Sequence, residues 1–174
     1  MHCCVFMLAA AAVAGSVQAQ CYRVGPPDAI PGVSGASPVF INDADLWDPD
    51  GPGPNPPVLV VVGNFSRAGD VTTPDVATWD GQRWQALGRL GSNSNPVTVA
   101  TGPNGELIAG GFSGMIANSG LARWNGSAWE AIPTTGNVYD ARFTASGDLV
   151  IAGAFSRVGG APAANVARRT AGVW

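Results

Sequence analysis

Lysine is absent from this 174-residue chain, histidine occurs once, at His2, and cysteine three times, at Cys3, Cys4 and Cys21. All nine basic residues are therefore arginines, set against twelve carboxylates, for a net charge of −3 and a pI near 4.8. Such a chain lacks the positive footprint that phosphate backbones and anionic membrane surfaces require, so nucleic acid is excluded as a partner. Charge of either sign is scarce, at 12% of residues, while Gly (24) and Pro (14) are abundant. That balance excludes helical bundles and coiled coils.

Long apolar runs are also missing, with one exception. Residues Val5 to Val13 are unbroken Val, Phe, Met, Leu and Ala, and the small-x-small tripeptide Val17-Gln18-Ala19 follows. This pattern predicts a secretory signal peptide over residues 1–19, because the run is too short to span a bilayer. The mature chain, residues 20–174, is then expected outside the cytoplasm, secreted or at the cell surface, with no membrane insertion after cleavage. It keeps one cysteine, Cys21, and no histidine. An intramolecular disulfide, a Ser-His-Asp triad, a His-ligated metal and a thiolate cluster are all excluded on that reading. A lipid anchor on Cys21 is disfavoured, since Gln18-Ala19-Gln20 lacks the Leu-small-small approach of such anchors.

What the chain does have is internal similarity. Val62-Gly63-Asn64-Phe65, Ala109-Gly110-Gly111-Phe112 and Ala152-Gly153-Ala154-Phe155 align, and each is followed by a Val/Leu-Ala run: Val76-Ala77-Thr78-Trp79-Asp80-Gly81, Leu121-Ala122-Arg123-Trp124-Asn125-Gly126 and Val166-Ala167-Arg168-Arg169-Thr170-Ala171. A closing Trp recurs every 45 residues, at Trp84, Trp129 and Trp174. Within each unit, Val97 to Ala100, Glu106 to Gly111, Leu121 to Trp124 and the run from Trp129 read as four short strands. Asp80-Gly81 and Asn125-Gly126 carry the chemistry of tight type I′ hairpins. A four-stranded unit of about 45 residues that keeps a Trp at one phase predicts an all-β partial β-propeller of about three blades. The blades fall at about 39–90, 97–133 and 138–174, the last incomplete. Residues 21–25, Cys21-Tyr22-Arg23-Val24-Gly25, match the outer strand Trp84-Gln85-Ala86-Leu87-Gly88 and offer a closing outer strand.

These motifs, Gly-x-Phe followed by Ile/Leu/Val-Ala-x-Trp-Asp/Asn-Gly-x-x-Trp, resemble the propeller repeats of secreted or surface proteins of planctomycetes and related bacteria. They are distantly Kelch-like and similar to fungal cortical polarity-marker propellers. The resemblance covers roughly residues 21–174 and implies architecture more than activity. Two departures stand out. In the third copy Arg169-Thr170-Ala171 replaces the Trp-Asp/Asn-Gly core, so a tight turn is not expected there. Three repeats also fall short of the four to eight blades of a closed ring, so a partial ring is expected, with self-association through uncapped blades.

Chemistry is left to carboxylates. Asp43 and Asp45 stand two apart, so a strand puts them on one face, and with Asp140 they are the candidates for a carboxylate-dependent glycan-active enzyme; the competing reading is solvated acids beside a wet channel. Asp48 and Asp50, before Gly51, superficially resemble a cation loop, although Pro54-Asn55-Pro56-Pro57 supplies no further carboxylate. Ser66, Arg67, Ser156 and Arg157 open loops on the rim where propellers usually bind partners. Ser is expected to order the turn and Arg to pair with a neighbouring blade's acid. No catalytic, cofactor or metal role is assigned to any residue, no cofactor is expected, and the sequence points to a non-catalytic module binding a protein or glycan, or scaffolding a cell surface.

Overall fold

The computed structural model describes residues 32–174, apart from 37 and 93. The leader reading of residues 1–19, the three cysteines, and the closing strand at 21–25 all lie outside the described residues. The described chain is all-β. Its strands are β1 (Val33–Ser34), β2 (Phe40–Trp47), β3 (Val58–Asn64), β4 (Arg67–Ala68), β5 (Val71–Thr72), β6 (Val76–Trp79), β7 (Trp84–Ala86), β8 (Pro96–Thr101), β9 (Leu107–Gly111), β10 (Leu121–Trp124), β11 (Trp129–Ala131), β12 (Asn137–Phe143), β13 (Leu149–Ala154), β14 (Arg157–Val158), β15 (Ala161–Pro162) and β16 (Val166–Arg169).

Three antiparallel sheets dominate. The first runs β2-β3-β6-β7, the second β8-β9-β10-β11 in the same order, and the third β12-β13-β16, after which Thr170 bridges to Val173. The first strand of each is bulged at the same point of its pairing, at Asn42, Val97 and Tyr139. A glycine faces each bulge. A Cβ on Gly63, Gly111 or Gly153 would lie 2.2, 2.4 or 2.2 Å from the carbonyl oxygen of Phe40, Asn95 or Asn137, so the strands approach too closely there for any side chain. Gly153→Ala is therefore expected to cost about 1–3 kcal/mol as an overpacking change, whereas Gly32→Ala, with nothing within 4 Å, should leave a denaturant midpoint unmoved.

Alternation in these strands produces two apolar faces per sheet, and the sheets stack through them. Val60, Val62 and Val76 of the first sheet pack with Val99, Leu107, Ala109, Ala122 and Trp129 of the second. Ala100, Ile108 and Leu121 on the second sheet's other face pack with Val138, Ala141, Leu149 and Ile151 of the third. Trp129 is 7% exposed and donates its indole N–H to the Leu87 carbonyl of the preceding sheet, at 2.8 Å. Trp84, at the equivalent place in the first sheet, is only half-buried and packs with Val61, Phe65, Ala68 and Ala77.

Three local expectations need correction. Phe112 is not equivalent to Phe65 and Phe155. Gly111, not Gly110, stands opposite the bulge, so Phe112 arrives one residue early; it is 44% exposed, edge-on to Tyr139, while Met115 fills the core. The Asp80-Gly81 and Asn125-Gly126 hairpins are not type I′ turns. Trp79 pairs with Trp84 and Trp124 with Trp129, leaving four-residue loops in which only the glycines have positive φ. Their order comes from side chains: Asp80 Oδ1 accepts from the Gln82 and Arg83 N–H groups, and Asn125 Oδ1 from those of Ser127 and Ala128. The Arg83 and Gln82 amides hold the Asp80 carboxyl down to about 2. Conversely, the third copy does make a tight turn. Thr170 and Val173 exchange both backbone hydrogen bonds around Ala171 (φ 49°) and Gly172 (φ 81°), the two positive angles a type I′ turn demands.

The loops after the second strands also contain structure that composition did not reveal. β4-β5 and β14-β15 are small hairpins, and the chain preceding β2 and β12 docks on them, with Gly69 N donating to Gly32 O and Gly159 N to Pro133 O.

Candidate functional site

Asp43 and Asp45 do share a face of β2, as their spacing predicts, and that face abuts β8. Asp43 Oδ2 accepts from Thr98 Oγ1 at 3.1 Å and Val99 N at 3.0 Å, while its Oδ1 takes the Ala44 N–H at 2.9 Å. Asp45 Oδ2 accepts from Thr101 N at 3.1 Å and Thr101 Oγ1 at 2.8 Å, and Oδ1 from Leu46 N. Arg142 reaches across from β12 to Asp43 Oδ2 at 3.4 Å and holds Asp140 Oδ1 at 3.3 Å. Asp43 and Asp45 are thus not loosely solvated acids, whereas Asp140 is 53% exposed and holds only the exposed Arg142. Asp43 and Asp140 meet through one guanidinium, and Asp43 and Asp45 tie the first strands of the first two sheets together, each carboxylate accepting from both a backbone N–H and a threonine hydroxyl of β8.

Asp48 and Asp50 sit in the loop after Trp47. Asp50 Oδ2 accepts from the Asn55 side-chain amide at 2.8 Å and its backbone N–H at 3.3 Å. Although partial desolvation opposes it, these Asn55 bonds hold Asp50 below the usual carboxylate range; desolvation and the neighbouring Asp50 push Asp48 above it. Among the described residues, no three His, Cys, Asp or Glu side chains gather as a metal site.

The rim carrying Ser66, Arg67, Ser156 and Arg157 differs from expectation in one respect. Arg67 donates to Thr72 Oγ1 (3.2 Å) and to the Asp70 carbonyl (2.7 Å), and Arg157 to the Gly160 carbonyl. Each arginine braces its own hairpin instead of reaching a neighbouring acid, because the two-residue turn presents a carbonyl within reach. Ser156 Oγ shares a 3.1 Å hydrogen bond with Thr135 Oγ1, tying the loop to the preceding linker.

A recess with room for a ligand lies at the opposite end of the sheets, away from the residues singled out in the sequence. A groove of about 890 Å³ is lined by Trp47, Gly105, Glu106, Arg123, Trp124, Asn125 and Arg169, among others, all from turns and strand ends. The Pro103–Gly105 turn, with Asn104 at φ 59°, forms one wall. Trp47 buttresses that wall by donating its indole N–H to the Gly105 carbonyl at 2.9 Å. Trp124 packs against Trp129, ring centres 5.5 Å apart and planes tilted by 58°, and remains half-buried. Arg169 stands where the first two sheets have Trp79 and Trp124; it pairs with Glu106 and lies 5.9 Å from the centre of the Trp174 ring. Arg123 pairs with Glu130 at 3.1 Å, and Asn125 donates to the same carboxylate, which together hold Glu130 below its usual range. The groove therefore offers an aromatic edge, two guanidinium groups already matched by carboxylates, and amide donors and acceptors. That set suits hydrogen-bonding, near-neutral ligands. The loss of Trp at position 169 was the one signal of it in the sequence, since it puts a cation where the other copies carry an indole. In comparisons with protein-family models, curated proteins and solved structures, the chain matches none of them.

Proposed function

We propose that the chain is an exported, non-catalytic binding module, a partial β-propeller of three blades that holds a protein or a glycan in the groove between Trp47 and Arg169. The observation that carries this reading is the groove itself, about 890 Å³ walled by turns of all three sheets, where stacked sheets provide a rigid support for an adaptable rim. The leader-like residues 1–19 and the resemblance to secreted propeller repeats support export and blade architecture. The engagement of Asp43 and Asp45 by β8 argues against the alternative, a glycan-active enzyme using those carboxylates as acid and nucleophile.

A survey of oligosaccharides and exported polysaccharides, read both as binding and as release of reducing ends, tests the reading. Binding without turnover is expected. Arg123→Ala, on a half-exposed side chain, should weaken it about tenfold, the equivalent of one charge-assisted hydrogen bond of about 1.5 kcal/mol. Release of reducing ends that persists in a folded Arg123→Ala variant and disappears in a folded Asp43→Asn or Asp45→Asn variant would establish the enzyme instead.

A further inference from the structure

Two asparagines of the chain precede glycine, Asn104 and Asn125. Such pairs are open to ring closure, because glycine has no Cβ to hinder the approach of its nitrogen to the side-chain carbonyl carbon. The fold treats the two differently. Asn125 Oδ1 accepts from Ser127 N at 2.9 Å, Ser127 Oγ at 3.0 Å and Ala128 N at 2.8 Å, and Asn125 Nδ2 donates to Glu130 Oε1 at 2.7 Å. Asn125 and Gly126 are both exposed, and a Cβ on Gly126 would meet nothing within 4 Å. At Asn104, by contrast, no hydrogen bond reaches the side-chain amide among the described residues. Gly105 is also wedged in place, with the Pro49 carbonyl oxygen 2.4 Å from where a Cβ would lie.

We propose that Asn125 is a self-modifying site: the Gly126 nitrogen bonds to Asn125 Cγ, the Cγ–Nδ2 bond breaks, and water opens the resulting succinimide to aspartate or isoaspartate. The proton that Gly126 N gives up leaves with Nδ2 as ammonia, and Glu130 Oε1 is the acceptor already in contact with that nitrogen. Negative charge develops on Oδ1 as the ring closes, and the three donors gathered there are aimed at that atom, as in an oxyanion hole. The same chain shows that the loop accepts a carboxylate. Asp80 stands at the equivalent position of the first sheet, where Trp79 faces Trp84 as Trp124 faces Trp129, and its Oδ1 takes the Gln82 and Arg83 amides as Asn125 takes those of Ser127 and Ala128. What differs is the neighbouring strand. Asp80 Oδ2 accepts from the Gln85 side-chain amide at 3.1 Å, whereas a carboxylate at position 125 would face Glu130, the counterpart of Gln85. Conversion therefore removes a donor from the groove wall and sets a second negative charge beside the Arg123–Glu130 pair. The proposal stands on this loop alone and is independent of whether the groove holds a ligand.

The test is peptide mass mapping of the folded chain during prolonged incubation at neutral and mildly alkaline pH, with isoaspartate scored by enzymatic methylation. Asn125 should convert about tenfold faster than Asn104 because only its oxygen is held by donors. In urea, which disperses those donors, the two rates should converge. Ser127→Ala, at an exposed position, should slow the conversion about fivefold, the worth of one neutral hydrogen bond, and Ser127→Thr, which keeps the hydroxyl, should retain the wild-type rate; circular dichroism checks that both variants fold. An Asn125 that keeps its amide would overturn the proposal, as would equal rates at the two positions in the folded chain, a ratio unchanged by urea, or a folded Ser127→Ala variant that converts as fast as wild type.

Discussion

Trp129→Ala is expected to cost about 3–5 kcal/mol, the usual range for truncating a core aromatic, and to lower the melting temperature by roughly 10 °C in a domain of this size. The indole fills the space between the first two sheets beside Val60, Leu87 and Leu107, and its N–H satisfies the Leu87 carbonyl. Trp129→Phe separates the two contributions. It keeps most of the buried ring and strands the carbonyl, so about 1 kcal/mol of the loss should remain. Trp84 occupies the same phase in the first sheet but is half-buried, so Trp84→Ala should cost less than about 2 kcal/mol by the area it covers. Equal costs at the two positions would mean that the face carrying Trp84 is covered as fully as the one carrying Trp129.

A comparable loss is expected where β2 meets β8. Removing Asp43 or Asp45 by alanine leaves backbone N–H groups of β8 facing the gap, at Val99 and Thr101, and strips the Thr98 and Thr101 hydroxyls of their acceptor. Each change should cost about 2 kcal/mol, as for hydrogen bonds to a charged group, and the double variant about 4. Thermal or urea unfolding measures this directly. Asp45→Asn should fall between wild type and alanine, since its amide oxygen still accepts from Thr101 N. A pair of variants as stable as wild type would free these carboxylates for chemistry and revive the enzymatic reading.

Much of the strand order was legible in the sequence, for reasons that are local. The runs Pro96–Thr101, Leu107–Gly111 and Leu121–Trp124 are short, apolar and bounded by Gly, Pro and Asn, so period and turn chemistry agree on them. Register was less legible. Phe112 follows directly on the glycine that faces the bulge, where Phe65 and Phe155 stand one residue further on; that step moves it from core to surface without altering the local motif, and only the register at Gly111 reveals it. Turn type misled in both directions. Asn-Gly in a four-residue loop is held by the Asn side chain, and Ala171-Gly172 forms the tight turn because glycine absorbs one positive angle and alanine tolerates the other at some cost. The site was the least legible part. Glu106 and Arg169 are far apart in the chain and meet only when the second and third sheets stack, whereas Asp43 and Asp45 advertised chemistry by spacing and serve as inter-sheet ties.

The stacking of sheets through repeated faces underlies the proposed groove. It is tested most directly by the indole N–H signals of the six tryptophans in a nitrogen-edited nuclear Overhauser spectrum with hydrogen exchange. The Trp129 indole proton should show cross-peaks to Leu87 and Gly88, and the Trp47 indole proton to Gly105, and both should exchange far more slowly than that of Trp124. Rapid exchange of the Trp129 indole, with no contact to Leu87, would contradict the stacked arrangement.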